Sequence, residues 1–164
     1  MVRYVAAAAA VTYLLAVLQS TVAGRLAIAG VSPDLLFVWT VAVGLMSGPA
    51  PGALAGWGAG LLEGGLQQVW LAPYAISKTI SGFVAGQLGA RMLKENWVVP
   101  AVCAGALTLL NEAIFLLLAR PVVGAEAWRR IGIRVVYHAA LAPLALALAY
   151  RGRRLLLAGR EERA

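Results

Sequence analysis

Charge is scarce in this 164-residue chain: Asp, Glu, Lys and Arg together make up 13% of it, while hydrophobic residues make up 62%. An ordinary water-soluble domain is about 25% charged and about 45–50% apolar. Too little polar surface remains to cover a fold in water, which excludes a soluble domain able to carry chemistry. Cysteine and histidine are scarcer still, with Cys103 and His138 the sole examples. An internal disulfide and a zinc site of the usual Cys/His kind are therefore excluded, and no cofactor or metal is expected. Cys103 lies in an apolar run, where a small packing residue is the default. The chain also lacks a nucleophile elbow, a phosphate-cradling glycine loop and a paired-aspartate metal motif. No catalytic residue is expected, and the chain reads as a non-enzyme.

What the chain does have is long apolar segments. No charge interrupts Tyr4 to Gly24, a run longer than the roughly 7–15-residue core of a secretory signal, so it reads as a retained span. Charge is absent again from Leu35 to Leu62, where Gly48-Pro49-Ala50-Pro51-Gly52 breaks the run into a hairpin. The pattern predicts helices over Pro33–Ser47, Pro49–Leu66, Pro73–Ala90, Val98–Ala119 and Ile131–Tyr150 after the first. A full span needs about 20 residues, so the second and third are short, which leaves a re-entrant pair open. The fold class is an all-α integral membrane protein, a six-transmembrane-helix bundle over residues 1–150 with a basic tail over 151–164.

The net charge of +7 reads as topology signal rather than nucleic-acid binding, because Lys and Arg gather in cytoplasmic loops. One side of a six-span chain holds Arg3, Arg91, Lys94, Arg151, Arg153, Arg154, Arg160 and Arg163, and the other Arg25, Arg120, Arg129 and Arg130. Both termini are expected in the cytoplasm, with the tail lying on anionic membrane lipid. Tyr4, Trp97 and Tyr150 then mark the inner boundary, and Trp70, Tyr74 and Trp128 the outer one.

Two constellations stand out. Gly48, Gly52, Gly56, Gly60 and Gly64 recur every fourth residue and make a groove along one face of the third helix. Such a stripe admits another backbone closely, either the fourth helix, with its Gly82 and Gly86, or a helix of another protein. The second constellation is Asp34, Glu63, Lys78, Glu112, Arg134 and His138, ionisable residues in or at the ends of apolar helices. A charge at the centre of a membrane helix costs roughly 2.5–3.5 kcal/mol on insertion scales, so these should be paired or near water. All six fall in the outer half of a bundle with cytoplasmic termini. Glu63 and Lys78 lie near the two glycine faces, which predicts an ion pair. Arg134 and His138, one turn apart, share a face that could meet Glu112. The cluster reads either as a self-neutralising structural network or as an outward polar pocket for a ligand or partner.

The stretch from Pro33 to about Gly89 resembles the rod shape-determining protein MreD family of bacterial inner membranes. The likeness rests on Pro33-Asp34-Leu35-Leu36, on Gly48-Pro49, Gly52-Ala53-Leu54, Gly56 and Gly60-Leu61-Leu62-Glu63, and on Tyr74-Ala75, Lys78-Thr79 and Gly82. Glu63 stands where that pattern would carry Asp, and Pro73 where it would carry Gly. The resemblance implies a multi-pass protein of the bacterial inner membrane without catalytic residues, a scaffold subunit of the cell-elongation complex that organises peptidoglycan synthesis. It implies an MreC-like bitopic partner, an MreB-like actin homologue and the peptidoglycan polymerase and transpeptidase as associates. It further implies a fold similar to the substrate-binding subunits of energy-coupling-factor vitamin transporters. That similarity supplies the alternative, a membrane subunit capturing a vitamin, whose Ala6 to Ala10 face would dock a transport module.

Overall fold

The computed structural model describes residues 2–92, 98–121 and 124–161. Its side chains are described over 8–22, 24–25, 27–89, 98–121 and 124–152. Arg3, Tyr4, Arg91, Lys94, Trp97, Arg153, Arg154, Arg160 and Arg163, used above for orientation, and the first two alanines of the Ala6 to Ala10 run therefore have side chains outside the description.

Among the described residues the regular structure is helical: α1 Val2–Thr21, a 3-10 turn Ala23–Leu26, α2 Leu35–Ser47, α3 Pro49–Gln67, α4 Leu71–Met92, α5 Val98–Ala119 and α6 Ala125–Glu161. The breaks lie where local chemistry demands them. Asp34 caps α2 by accepting the Phe37 amide N–H. Gly48 takes φ 96°, a left-handed value that costs glycine nothing, and Pro49 then opens α3 with its ring already at a helical φ.

The expected boundaries hold within about two residues for α2, α3 and α4, and for α5. α6 departs from expectation. It begins at Ala125, ahead of Ile131, and runs past Tyr150 to Glu161. The charges at its ends limit the apolar stretch, not the helix: Arg, Leu, Ala and Glu are all good helix formers.

α2 is the central rod, packed by α1, α3, α4, α5 and α6. Phe37, Val41 and Leu45 of α2 meet Ala85 of α4, Cys103, Ala104 and Leu107 of α5, and Ala142 and Leu146 of α6 in one apolar core. Cys103 is buried there as a free thiol. The outer surface is apolar too: Leu54, Leu117 and Val136 are each at least 70% exposed. Val98–Ala119 and Ala125–Gly152, with mean hydropathies of 2.0 and 1.7, are long and apolar enough to cross a membrane, and Ala8–Thr21 and Leu35–Ser47 are shorter apolar helices.

The glycine stripe is consumed inside the protein. A Cβ placed on Gly52 would stand 2.2 Å from the Gly82 carbonyl oxygen, one on Gly56 2.1 Å from that of Lys78, and one on Gly60 2.4 Å from that of Tyr74. Gly64 closes the row against Leu71. α3 and α4 thus touch backbone to backbone along their length, the close approach that small residues permit between helices. Gly48 departs from the stripe: its own Cβ position is open, and it is the left-handed turn that requires glycine there. Gly58, on the other side of α3, also faces open space. Gly56→Ala should therefore destabilise the protein by about 1–3 kcal/mol through overpacking, whereas Gly58→Ala should be neutral or stabilising by up to about 1 kcal/mol. Thermal unfolding of the two variants in the same detergent checks the contrast.

Candidate functional site

The site lies at the end of the bundle where α3 and α5 finish and α2, α4 and α6 begin. It is built around the first turn of α2, whose amide N–H groups have no helical partner and lie largely within the protein. Side chains from three elements supply acceptors. The Asp34 N–H donates to His138 Nε2 at 3.3 Å, the Leu36 N–H to Gln19 Oε1 of α1 at 3.1 Å, and the Phe37 N–H to Asp34 Oδ1 at 2.8 Å. An unsatisfied amide in an apolar medium costs several kcal/mol, so these bonds hold α1 and α6 to the head of α2.

The bonding fixes the state of His138. Its Nε2 accepts and is therefore unprotonated, while Nδ1 lies 2.9 Å from Thr108 Oγ1. That hydroxyl already donates its proton to the Ala104 carbonyl at 2.7 Å. It can only accept from Nδ1–H, and His138 is the neutral Nδ1–H tautomer. The Phe37 ring packs beside it, with centroids 5.0 Å apart.

Lys78, projecting from α4 with no exposed surface, takes the other oxygen of Asp34. The same ammonium stands 2.7 Å from Glu63 Oε2, and 5.3 Å from the centre of the Phe37 ring, a cation–π distance. One lysine thereby ties together α2, α3 and α4. The close approach at Gly56 sets this up, since the carbonyl nested against that glycine is that of Lys78 itself. A second ion pair joins α5 to α6, Arg134 Nη1 to Glu112 Oε1 at 2.7 Å. Arg134 is the open edge, with 38% of its side chain exposed against 10% for Glu112. Beyond it, at the start of α6, Arg129 and Arg130 share the exposed Glu126 carboxylate.

All six residues named from the sequence, Asp34, Glu63, Lys78, Glu112, Arg134 and His138, thus belong to one region. The Glu63–Lys78 and Arg134–Glu112 contacts are as expected. Two connections are not. Asp34 joins Lys78 in direct contact, which sequence spacing does not indicate across 44 residues, and His138 serves α2 and Thr108 instead of Glu112. Gln19 and Thr108 were missed, though a lone amide near the end of an apolar helix is itself a signal that a polar partner waits nearby. Thr12 is a third such residue: its hydroxyl receives the Trp39 indole N–H at 3.1 Å, so Trp39 is bonded to α1 as well as packed.

No family model, curated protein or solved structure matches this chain.

Lys78→Met leaves Asp34 and Glu63 facing each other with no cation between them. One-sided loss of this kind costs about 3–5 kcal/mol in buried settings. Adding Asp34→Asn to that variant should recover part of the loss, because the stranded Asp34 charge is gone. Unfolding midpoints of the single and double variants measure the recovery; a double variant less stable than Lys78→Met would contradict the pairing.

Proposed function

We propose that this chain is a six-span protein of the bacterial cytoplasmic membrane, with both termini cytoplasmic. Its role is that of a non-enzymatic scaffold subunit of the cell-elongation complex, as in the MreD family that its Pro33 to Gly89 stretch resembles. The observation that supports this reading is the direction of polarity: Asp34, Glu63, Lys78 and Glu112 turn inward to ionic partners within the bundle, while large apolar side chains such as Leu54, Leu117 and Val136 turn outward. Lipid is the solvent such a surface fits. Because the cluster is spent on joining helices, what the bundle offers to other proteins is apolar helical surface.

An MreC-like bitopic protein is the partner this surface suits, with the actin homologue and the wall-synthesis enzymes recruited around the pair. With the glycine stripe occupied by α4, docking falls to another helix. α1 packs on α2 and α3 and turns Tyr13, Leu14, Val17 and Leu18 outward. That face is the proposed contact.

Reporters fused after Arg154 and within residues 91–96 should read cytoplasmic, and one within 123–127 external. An external tail would overturn the orientation. In a co-purification assay, Leu14→Ala combined with Val17→Ala should reduce recovery of the MreC-like partner several-fold while membrane insertion is unchanged. Undiminished recovery, together with tight binding of a vitamin by the purified protein, would replace the scaffold reading with that of a transporter's substrate-binding subunit.

A further inference from the structure

The buried cluster does not balance its charge. Asp34, Glu63 and Glu112 bring three carboxylates against the two cations Lys78 and Arg134, and His138 is neutral by its hydrogen bonds. An uncompensated charge at a site this dry is expensive, and the effective penalty is several kcal/mol per ion. The hydrogen bonds say where the imbalance sits. Asp34 uses Oδ1 on the Phe37 amide and Oδ2 on Lys78, and Glu112 holds Arg134. Glu63 is the exception. It is 6% exposed, and its Oε2 touches the Lys78 ammonium without the alignment of a hydrogen bond.

A second buried acceptor also lacks a donor. Asn111, 8% exposed, has no partner for Oδ1. Phe115, one turn further along α5, packs on Tyr74 of α4 with ring centroids 4.6 Å apart. Stepping back one turn on each antiparallel helix brings Asn111 to the level of Lys78. The cluster is thus short of a positive charge, and Glu63 Oε2 and Asn111 Oδ1 are buried acceptors without an aligned donor. Among the described residues no three of His, Cys, Asp and Glu converge as ligands for a metal ion, and a single proton on Glu63 supplies the missing charge.

We propose that the Asp34–Glu63–Lys78 cluster is a proton-binding site, in which Glu63 is held as the neutral carboxylic acid while Asp34 remains the counter-ion of Lys78. The groups that face Glu63 are Asp34 from α2 and Lys78 and Tyr74 from α4, with Glu112 of α5 and Arg134 and His138 of α6 behind them; no charged group with a described side chain faces it from α1. The proton comes from the aqueous phase past Arg134, the exposed member of the cluster. The inference rests on the membrane-spanning reading, since only lipid denies the extra carboxylate a solvent counter-ion.

Because the native protein then carries one proton that the unfolded chain releases, stability falls as pH rises through the site's titration, by up to about tenfold in the folding constant per pH unit. The test uses the full chain reconstituted in bilayers, with insertion verified first by the accessibility of the reporter positions. Infrared difference spectra at neutral pH should show the C=O stretch of a protonated carboxyl group that Glu63→Gln removes and Glu126→Gln leaves in place. The stability of wild type relative to Glu63→Gln should decline toward alkaline pH. An inserted protein with no such band, or with a band that survives Glu63→Gln, overturns the proton site. A collapse of Glu63→Gln also overturns it, because the neutral amide has the shape of the protonated acid; Lys78→Met, expected to be the more damaging change, serves as the reference. A chain that does not insert overturns the membrane reading instead.

Discussion

One ammonium group without access to water organises the head of this bundle. Lys78 is wholly buried, and a cation removed from water must find its counter-charges in the protein or cost several kcal/mol. It finds the Asp34 carboxylate on α2 and, beside it, an oxygen of Glu63 on α3, so the requirement of a single side chain bears on the relative placement of three helices. The geometry works only because α3 and α4 are in backbone contact. A Cβ on Gly56 would collide with the Lys78 carbonyl, so a side chain there would push apart the two backbones that carry Glu63 and Lys78. Close packing and charge pairing are thus one constraint seen from two sides of the same helix.

The second organiser is the start of α2. Its unpaired N–H groups face protein instead of water and are met by Gln19, His138 and Asp34. Two of the acceptors come from other helices, so satisfying these amides ties α1, through Gln19, and α6, through His138, to the head of α2. Asp34 belongs to both systems, with one oxygen on the helix and the other on Lys78. It is the residue through which backbone satisfaction and charge neutralisation are coupled.

Much of this was legible in the sequence, for identifiable reasons. The helix boundaries follow from Pro33, Gly48-Pro49 and Pro73, which act locally, and the Glu63–Lys78 pair follows from helical periodicity across a short hairpin. What the sequence hid depends on contacts between distant segments. Nothing in the spacing of Asp34, Lys78 and His138 reveals that one aspartate would receive a lysine from α4 and place its N–H on a histidine from α6. The full length of α6 was hidden for another reason. Hydropathy reports where an apolar environment ends, and a helix rich in Arg, Leu and Ala continues past that point. The glycine stripe was visible, but its direction was not: the same repeat suits an internal neighbour or an external one, and only the carbonyls of Tyr74, Lys78 and Gly82 decide for the internal one.

That decision bears on how such a protein could recognise another. Its buried ionisable groups meet partners inside the bundle and its small-residue groove is filled, so these features are spent on holding the helices together. In lipid, apolar side chains gain little by leaving the hydrocarbon, and helix association depends on shape and close packing. On the scaffold reading, specificity then comes from how rigidly the bundle holds its outer side chains. On that reading the buried end of the bundle would act on partner binding without touching the partner: by holding α1 through Gln19 at the head of α2, it holds the surface on which Tyr13, Leu14 and Val17 are displayed. A residue buried far from the contact can alter recognition through that rigidity, so a loss of binding locates an interface only when the fold has been measured beside it.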